Sequence, residues 1–128
     1  MAYKITYTDD AGIIAKYTGV VDDAEYVQSI NERWEDPEVI KTCRYVISDF
    51  SNVEALKITT DAVKQSASIH MEVSRLNNSL LVVGVLPTFL QYVYGKMWQE
   101  HTHDSGWKTF PATSIKEANE WINANINP

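Results

Sequence analysis

Three histidines, one cysteine and a few strand-end and helix-start hydroxyls are the side chains of this sequence whose types could do chemistry. Glu100-His101-Thr102-His103-Asp104 gathers metal-capable groups in one stretch. A His-x-His pair supplies two ligands where zinc needs three or four converging on a point, so no metal site follows, and His101 suits the negative end of a helix instead. Cys43, near Lys41 and Arg44, would be an activated thiol if those cations faced it and a small apolar core residue if not. His70 falls at the edge of an apolar helical stripe beside Val63 and Ser66, which fits a hydrogen-bonded, half-buried ring. Ser48, Asp49 and Ser51 leave one strand end without a histidine near them, and no Gly-x-Ser-x-Gly elbow frames a nucleophile. Gly-rich phosphate loops and framed carboxylate pairs are absent from the sequence. The expectation is a protein that is not an enzyme and needs no cofactor.

These residues hang on a readable set of elements. Lys4–Thr8 and Ile13–Thr18 are rich in β-branched and aromatic residues around Asp9-Asp-Ala-Gly12, so they predict a hairpin with Gly12 at positive φ. Asp22 with Glu25 is a capping box and Val21 with Tyr26 a hydrophobic staple, starting a helix with Val27, Ile30 and Trp34 on one face that stops by Asp36-Pro37. Tyr45–Phe50 predicts a strand, followed by a loop from Ser51 to Thr60. A helix from Asp61 to about Leu76 then turns Ala62, Ile69, Val73 and Leu76 inward. Leu80–Val85 is apolar without alternation, as in a parallel strand covered on both faces. A helix opens near Pro87 and Thr88 and runs to about His101, Trp107–Phe110 is a last strand, and the box Ser114 to Glu117 opens a terminal helix with Ile115, Ala118 and Ile122 facing in. The order predicts one α/β domain over 1–128. It has a mixed five-stranded sheet, made of an N-terminal hairpin and then three parallel strands, with four helices.

At 128 residues and 45% hydrophobic, the chain can hold a core without staples, and its single cysteine excludes an internal disulfide. The start lacks the basic and apolar segments of a secretory signal, and no apolar run approaches the roughly 20 residues that span a bilayer, so the expected location is cytoplasmic. A formal net charge of −6 without a Lys/Arg cluster repels phosphates, which excludes nucleic acid as a natural partner.

One helix has more apolar surface than a sheet contact needs. Leu90, Val93 and Met97 make a seam, and Phe89, Tyr94 and Trp98 widen it to about half the circumference. Its apolar approach, Gly84-Val-Leu-Pro87, lies beside Leu56 and Ile58 at the carboxyl end of the sheet, where open α/β sheets bind ligands. Leu56, Ile58, Val85, Leu86, Phe89, Tyr94 and Trp98 are therefore expected to line a hydrophobic mouth for a nonpolar small molecule or lipid. The same aromatics would equally serve packing against the first helix or a second subunit, as in a homodimer.

The order of elements, with Val46-Ile-Ser-Asp-Phe-Ser-Asn-Val53 and the ending Phe110-Pro-Ala-Thr-Ser-Ile-Lys-Glu-Ala-Asn-Glu-Trp-Ile122, resembles the STAS fold and within it the bacterial SpoIIAA-like family of stand-alone domains. In anti-sigma-factor antagonists of that fold an Asp-Leu-Ser-x-Val pattern, matched by Asp49-Phe-Ser-Asn-Val53, leads into Asp-Ser-Ser-Gly, whose first serine is phosphorylated. Here Lys57-Ile58-Thr59-Thr60 stands in that place, so the phosphoacceptor column holds Ile58 and the candidates are the adjacent Thr59 and Thr60. The SpoIIAA-like resemblance also implies likeness to CRAL-TRIO lipid carriers, with a nonpolar cavity and peripheral membrane contact. The antagonist resemblance implies instead a regulatory protein partner and a switch operated by threonine phosphorylation.

Overall fold

The computed structural model describes residues 2–126. Strands β1 (Tyr3–Tyr7) and β2 (Gly12–Asp22) pair antiparallel, with Tyr7 opposite Ile13. The residue at positive φ in their turn is Ala11, at 66°, and not Gly12. Gly12 is glycine for another reason: a Cβ there would lie 2.1 Å from Cζ of Tyr45, whose ring covers the turn and donates its hydroxyl to Asp10.

Helix α1 (Asp23–Arg33) starts where Asp22 accepts the Glu25 amide, half of the expected box; the Glu25 carboxylate takes the amide of Ala2 instead. Pro37, expected to end that helix, opens a further short one, α2 (Pro37–Thr42), because a proline nitrogen lacks only the N–H that a first turn leaves unused. Among the described residues five α-helices therefore stand where four were expected.

Strand β3 (Tyr45–Lys57) is longer than its apolar core suggests. Its second half, expected as a loop, pairs with residues 18–22 of β2 across two register shifts, so the two strands run on together past the end of β4 (Leu81–Val85). The sheet order is β1-β2-β3-β4-β5, with β5 at Lys108–Ala112, and every pair from β2 onward is parallel, which adds β2 to the three parallel strands expected.

Helices α1, α3 (Thr60–Ser74) and α4 (Phe89–His101) share one face of the sheet, and α5 (Ile115–Asn125) covers the other. Alternation along β3 divides its side chains accordingly. Val46 and Phe50 enter the core under α1 and α3, while Tyr45 and Ile47 join Val83, Val85, Ala118 and Ile122 under α5. Among the described residues no helix is long and apolar enough to cross a membrane.

Candidate functional site

The helix with surplus apolar surface is rotated from its expected setting. Thr88 caps α4 in a reciprocal box with Gln91, whose side-chain amide also donates to the Phe50 carbonyl at 3.3 Å. That buried glutamine fixes which face looks inward: Gln91, Tyr94, Gly95 and Trp98. Leu90 and Val93, expected as the core seam, are exposed together with Tyr92 and with Phe89, which is 81% exposed. Gly95 allows the close approach, since a Cβ there would lie 2.5 Å from Cδ1 of Leu86 on the strand side.

Under this face lies a cavity of about 100 Å³ between the sheet and helices α1, α3 and α4. Leu56, Ile58, Leu86, Tyr94 and Trp98 line it, with Val46, Ser48 and Phe50 of β3 as its floor. Tyr94 is held by donating its hydroxyl to the Ile58 carbonyl at 3.0 Å. Two of the seven residues expected at a mouth stand elsewhere. Val85 points to the opposite face, because strand parity sends it there with Val83, and Phe89 points away from the sheet. The cavity also extends across the sheet face beneath the helices, beyond the carboxyl edge where the mouth was expected.

Its buried charged and titratable members, Arg33 and His70, come from α1 and α3. Arg33 sits one turn past Ser29 and two past Tyr26, so the helical repeat carries it inward, and it is 2% exposed. Its Nη1 donates to Ser48 Oγ at 3.0 Å and its Nη2 to Tyr17 Oη at 2.9 Å. Tyr17 passes its own proton to Ser29, which donates to the Tyr26 carbonyl at 2.6 Å. This chain of donors ends on a backbone oxygen and contains no carboxylate. Arg33 Nε and Trp34 Nε1 are buried without a partner. An unpaired buried donor costs roughly 1–3 kcal/mol, and more when it is charged. The inward repeat from Tyr26 to Arg33 was available in the sequence.

His70, placed by sequence at the rim of its stripe, is 4% exposed and enclosed. Its Nδ1 accepts from Trp98 Nε1 at 3.1 Å, and Trp34, Trp98 and Trp107 meet the ring edge-on. Burial first, and the Arg33 charge second, push its pKa down to about 3. The ring is thus neutral at ordinary pH.

The other candidates do not join this site. Cys43 is buried, donates to the Tyr45 carbonyl, and burial raises its pKa to about 11, so it is a core thiol and not an activated one. His103 caps the Glu100 carbonyl and pairs with Asp104 at the surface. Among the described residues no three His, Cys, Asp or Glu side chains come together as metal ligands would. Thr59 caps α3 by accepting from the Ala62 amide, and it donates its hydroxyl to Asp23 Oδ2 at 2.8 Å. Thr60 follows it, exposed, in the first turn.

Comparison with known proteins places this arrangement. No family model matches the sequence, and no curated protein does. Solved structures do. The anti-sigma factor antagonist SpoIIAA in its unphosphorylated form superposes with a TM-score of 0.60 at 11% identity, over 95% of this chain and 98% of that one. An uncharacterised protein of the DUF3478 family with a SpoIIAA-like fold, from Shewanella loihica PV-4, gives 0.55 at 13% identity, over 94% and 92%. At such identities the likeness is one of fold. The chain has the SpoIIAA-like, STAS-type fold from end to end of its sheet.

Proposed function

We propose that this chain is a non-enzymatic binding domain that holds a small, mostly apolar molecule between its sheet and helices α1, α3 and α4. The observation carrying the reading is the cavity itself. Five residues expected from the sequence to bind a ligand line one space, and its walls are chiefly aliphatic and aromatic. At about 100 Å³ it is smaller than the roughly 300–1,000 Å³ of pockets for drug-sized ligands, which favours a compact molecule over a long acyl chain. A thermal-shift panel of compact apolar compounds, with a long-chain fatty acid as the comparison, tests it. A rise in midpoint with the compact members, abolished in Gly95→Leu, supports the reading; no rise with any member overturns it.

A second reading rests on a different surface. Phe89, Leu90, Tyr92 and Val93 leave a contiguous apolar strip of α4 exposed, as at protein contact sites. The structural likeness to an anti-sigma factor antagonist suggests a regulatory protein partner there, with Thr59 or Thr60 as the modified residue. Pull-down with and without Leu90→Asp, followed by phosphopeptide mapping, checks it. Capture that ignores the substitution, with no phosphate on either threonine, counts against it.

A further inference from the structure

Resting on the ligand-binding reading above, we infer that the cavity takes a compact carboxylic acid, its carboxylate anchored by Arg33 and Trp34 and its hydrocarbon part against Val46, Leu56, Leu86 and Trp98. The first support is the charge inventory of the walls. The chain carries 17 Asp and Glu against 11 Lys and Arg, yet no carboxylate lines this cavity, whereas Arg33 and Lys96 both do. Lys96 is exposed, so the lining runs from a buried cation to a solvent-facing one.

The second support is that Arg33 lacks a counter-ion. Ion pairs among the described residues are Lys41–Glu38 and Arg75–Glu72, both at the surface, where His103 also meets Asp104. Glu32, next to Arg33 in the helix, is turned away and accepts from Tyr3 at 2.5 Å. The groups that do meet the guanidinium are the neutral hydroxyls of Ser48 and Tyr17. The nearby titratable ring, His70, has its pKa lowered in part by the Arg33 charge. A buried guanidinium held only by neutral acceptors keeps most of its desolvation cost, and an incoming carboxylate removes it through charge-assisted bonds.

Third, the unfilled valences agree in sign and place. Arg33 Nε and Trp34 Nε1 are both donors, both belong to residues more than nine-tenths buried, and both residues line this cavity. Both atoms are closed to solvent in this structure, so a carboxylate answers them as the guanidinium and indole turn toward the space. A neutral hydrocarbon answers neither.

The size of the space limits the acid. A cavity of about 150 Å³ is known to accept benzene, with its six heavy atoms, so one of about 100 Å³ suits a shorter acid such as propanoate, with five. The probe pair is therefore propanoate and its neutral isostere propanamide, titrated by calorimetry at low chloride into the wild-type protein, Arg33→Met and Arg33→Lys. The expected result is wild-type affinity for the acid at least tenfold above that for the amide. Arg33→Met loses that preference, and Arg33→Lys retains part of it. Melting of the ligand-free proteins adds a second readout: Arg33→Met is as stable as wild type or more so, because an uncompensated charge has left the interior. A marked loss of stability in Arg33→Met instead assigns the arginine to the fold and overturns the inference. Equal affinity of wild type for acid and amide overturns the carboxylate assignment and leaves the binding reading standing, as does displacement of the acid by equimolar chloride. Failure of both probes to bind overturns the two together.

Discussion

Trp98 on α4 donates its indole N–H to Nδ1 of His70 on α3 across 3.1 Å, joining the two helices above the cavity. The bond makes Nδ1 an acceptor and leaves the proton of the neutral ring on Nε2. Because the histidine is enclosed by Trp34, Trp98 and Trp107, this contact, with Ser66 Oγ 3.5 Å from the same nitrogen, orients the aromatic wall on which a ligand would rest.

The His70 ring will stay neutral across the range in which free histidine titrates. Its folded pKa is lowered to about 3, below the unfolded value of about 6.5. Below the unfolded value the unfolded chain therefore binds the extra proton, and stability falls as pH drops from about 6.5 toward 3. NMR of the ring carbons should show no His70 transition between pH 8 and about 4.5, alongside falling urea resistance over the same acid range. A His70 midpoint near 6.5 would contradict this.

Gly12→Ala will destabilise more than Gly19→Ala. At position 12 a methyl group meets the Tyr45 ring, which is pinned by its hydrogen bonds to Asp10 and Thr8, so the ring cannot simply swing away. Overpacking of this kind costs about 1–3 kcal/mol. Gly19 has φ of 68° with nothing within 4 Å, so only left-handed backbone strain is added, about 1 kcal/mol. Urea unfolding of the two variants ranks them, and the reverse order would show that Tyr45 is free to move.

Gly95→Ala separates binding from stability. Helix propensity gains up to about 1 kcal/mol while the new methyl pushes Leu86 Cδ1 from 2.5 Å, a flexible end that can move. Net stability should stay within about 1 kcal/mol of wild type, since the two effects oppose. Leu86 lines the cavity, so its displacement should weaken binding of the compact probes. Unaltered probe affinity would place the ligand elsewhere.

Thr59→Asp will destabilise, although aspartate is a good N-cap, because the new carboxylate faces Asp23, whose oxygens now accept both the Thr59 amide and hydroxyl. Adding Asp23→Asn should recover the loss. Chemical denaturation of the four members of that cycle reads the coupling, and independent, additive effects would remove Asp23 from the account. The same geometry opposes a phosphate on Thr59 unless Asp23 moves.

How far the sequence alone reaches is seen in particular residues. The order of elements was legible because their boundaries are chemical. Asp22 with Glu25 and Ser114 with Glu117 state where helices begin, and the apolar run around Val82 states where a covered strand lies. The second half of β3 was not legible, since Ser51-Asn-Val-Glu54 has neither alternation nor an apolar run, and its strand exists only through pairing with β2. For the site, Leu56, Ile58, Leu86, Tyr94 and Trp98 followed from apolar residues gathered near one sheet end. Val85 and Phe89, expected there, stand elsewhere: Val85 through strand parity, and Phe89 because the setting of α4 depends on Gln91 reaching the Phe50 carbonyl, a long-range bond that no local pattern encodes. Arg33 was readable from its spacing to Tyr26, but its lack of a counter-ion was not, because that depends on which strands pack against α1.

The most direct test of a ligand between sheet and helices uses the four tryptophans as reporters. Trp34, Trp98 and Trp107 line the cavity, while Trp121 stacks on Phe110 on the α5 side of the sheet. Indole N–H resonances are followed by NMR as propanoate is added. The account predicts shifts at Trp34, Trp98 and Trp107, with the Trp34 proton moving furthest downfield as its unpartnered donor gains an acceptor, and a stationary Trp121. Three unmoved cavity indoles at saturating acid, or a response led by Trp121, would contradict it.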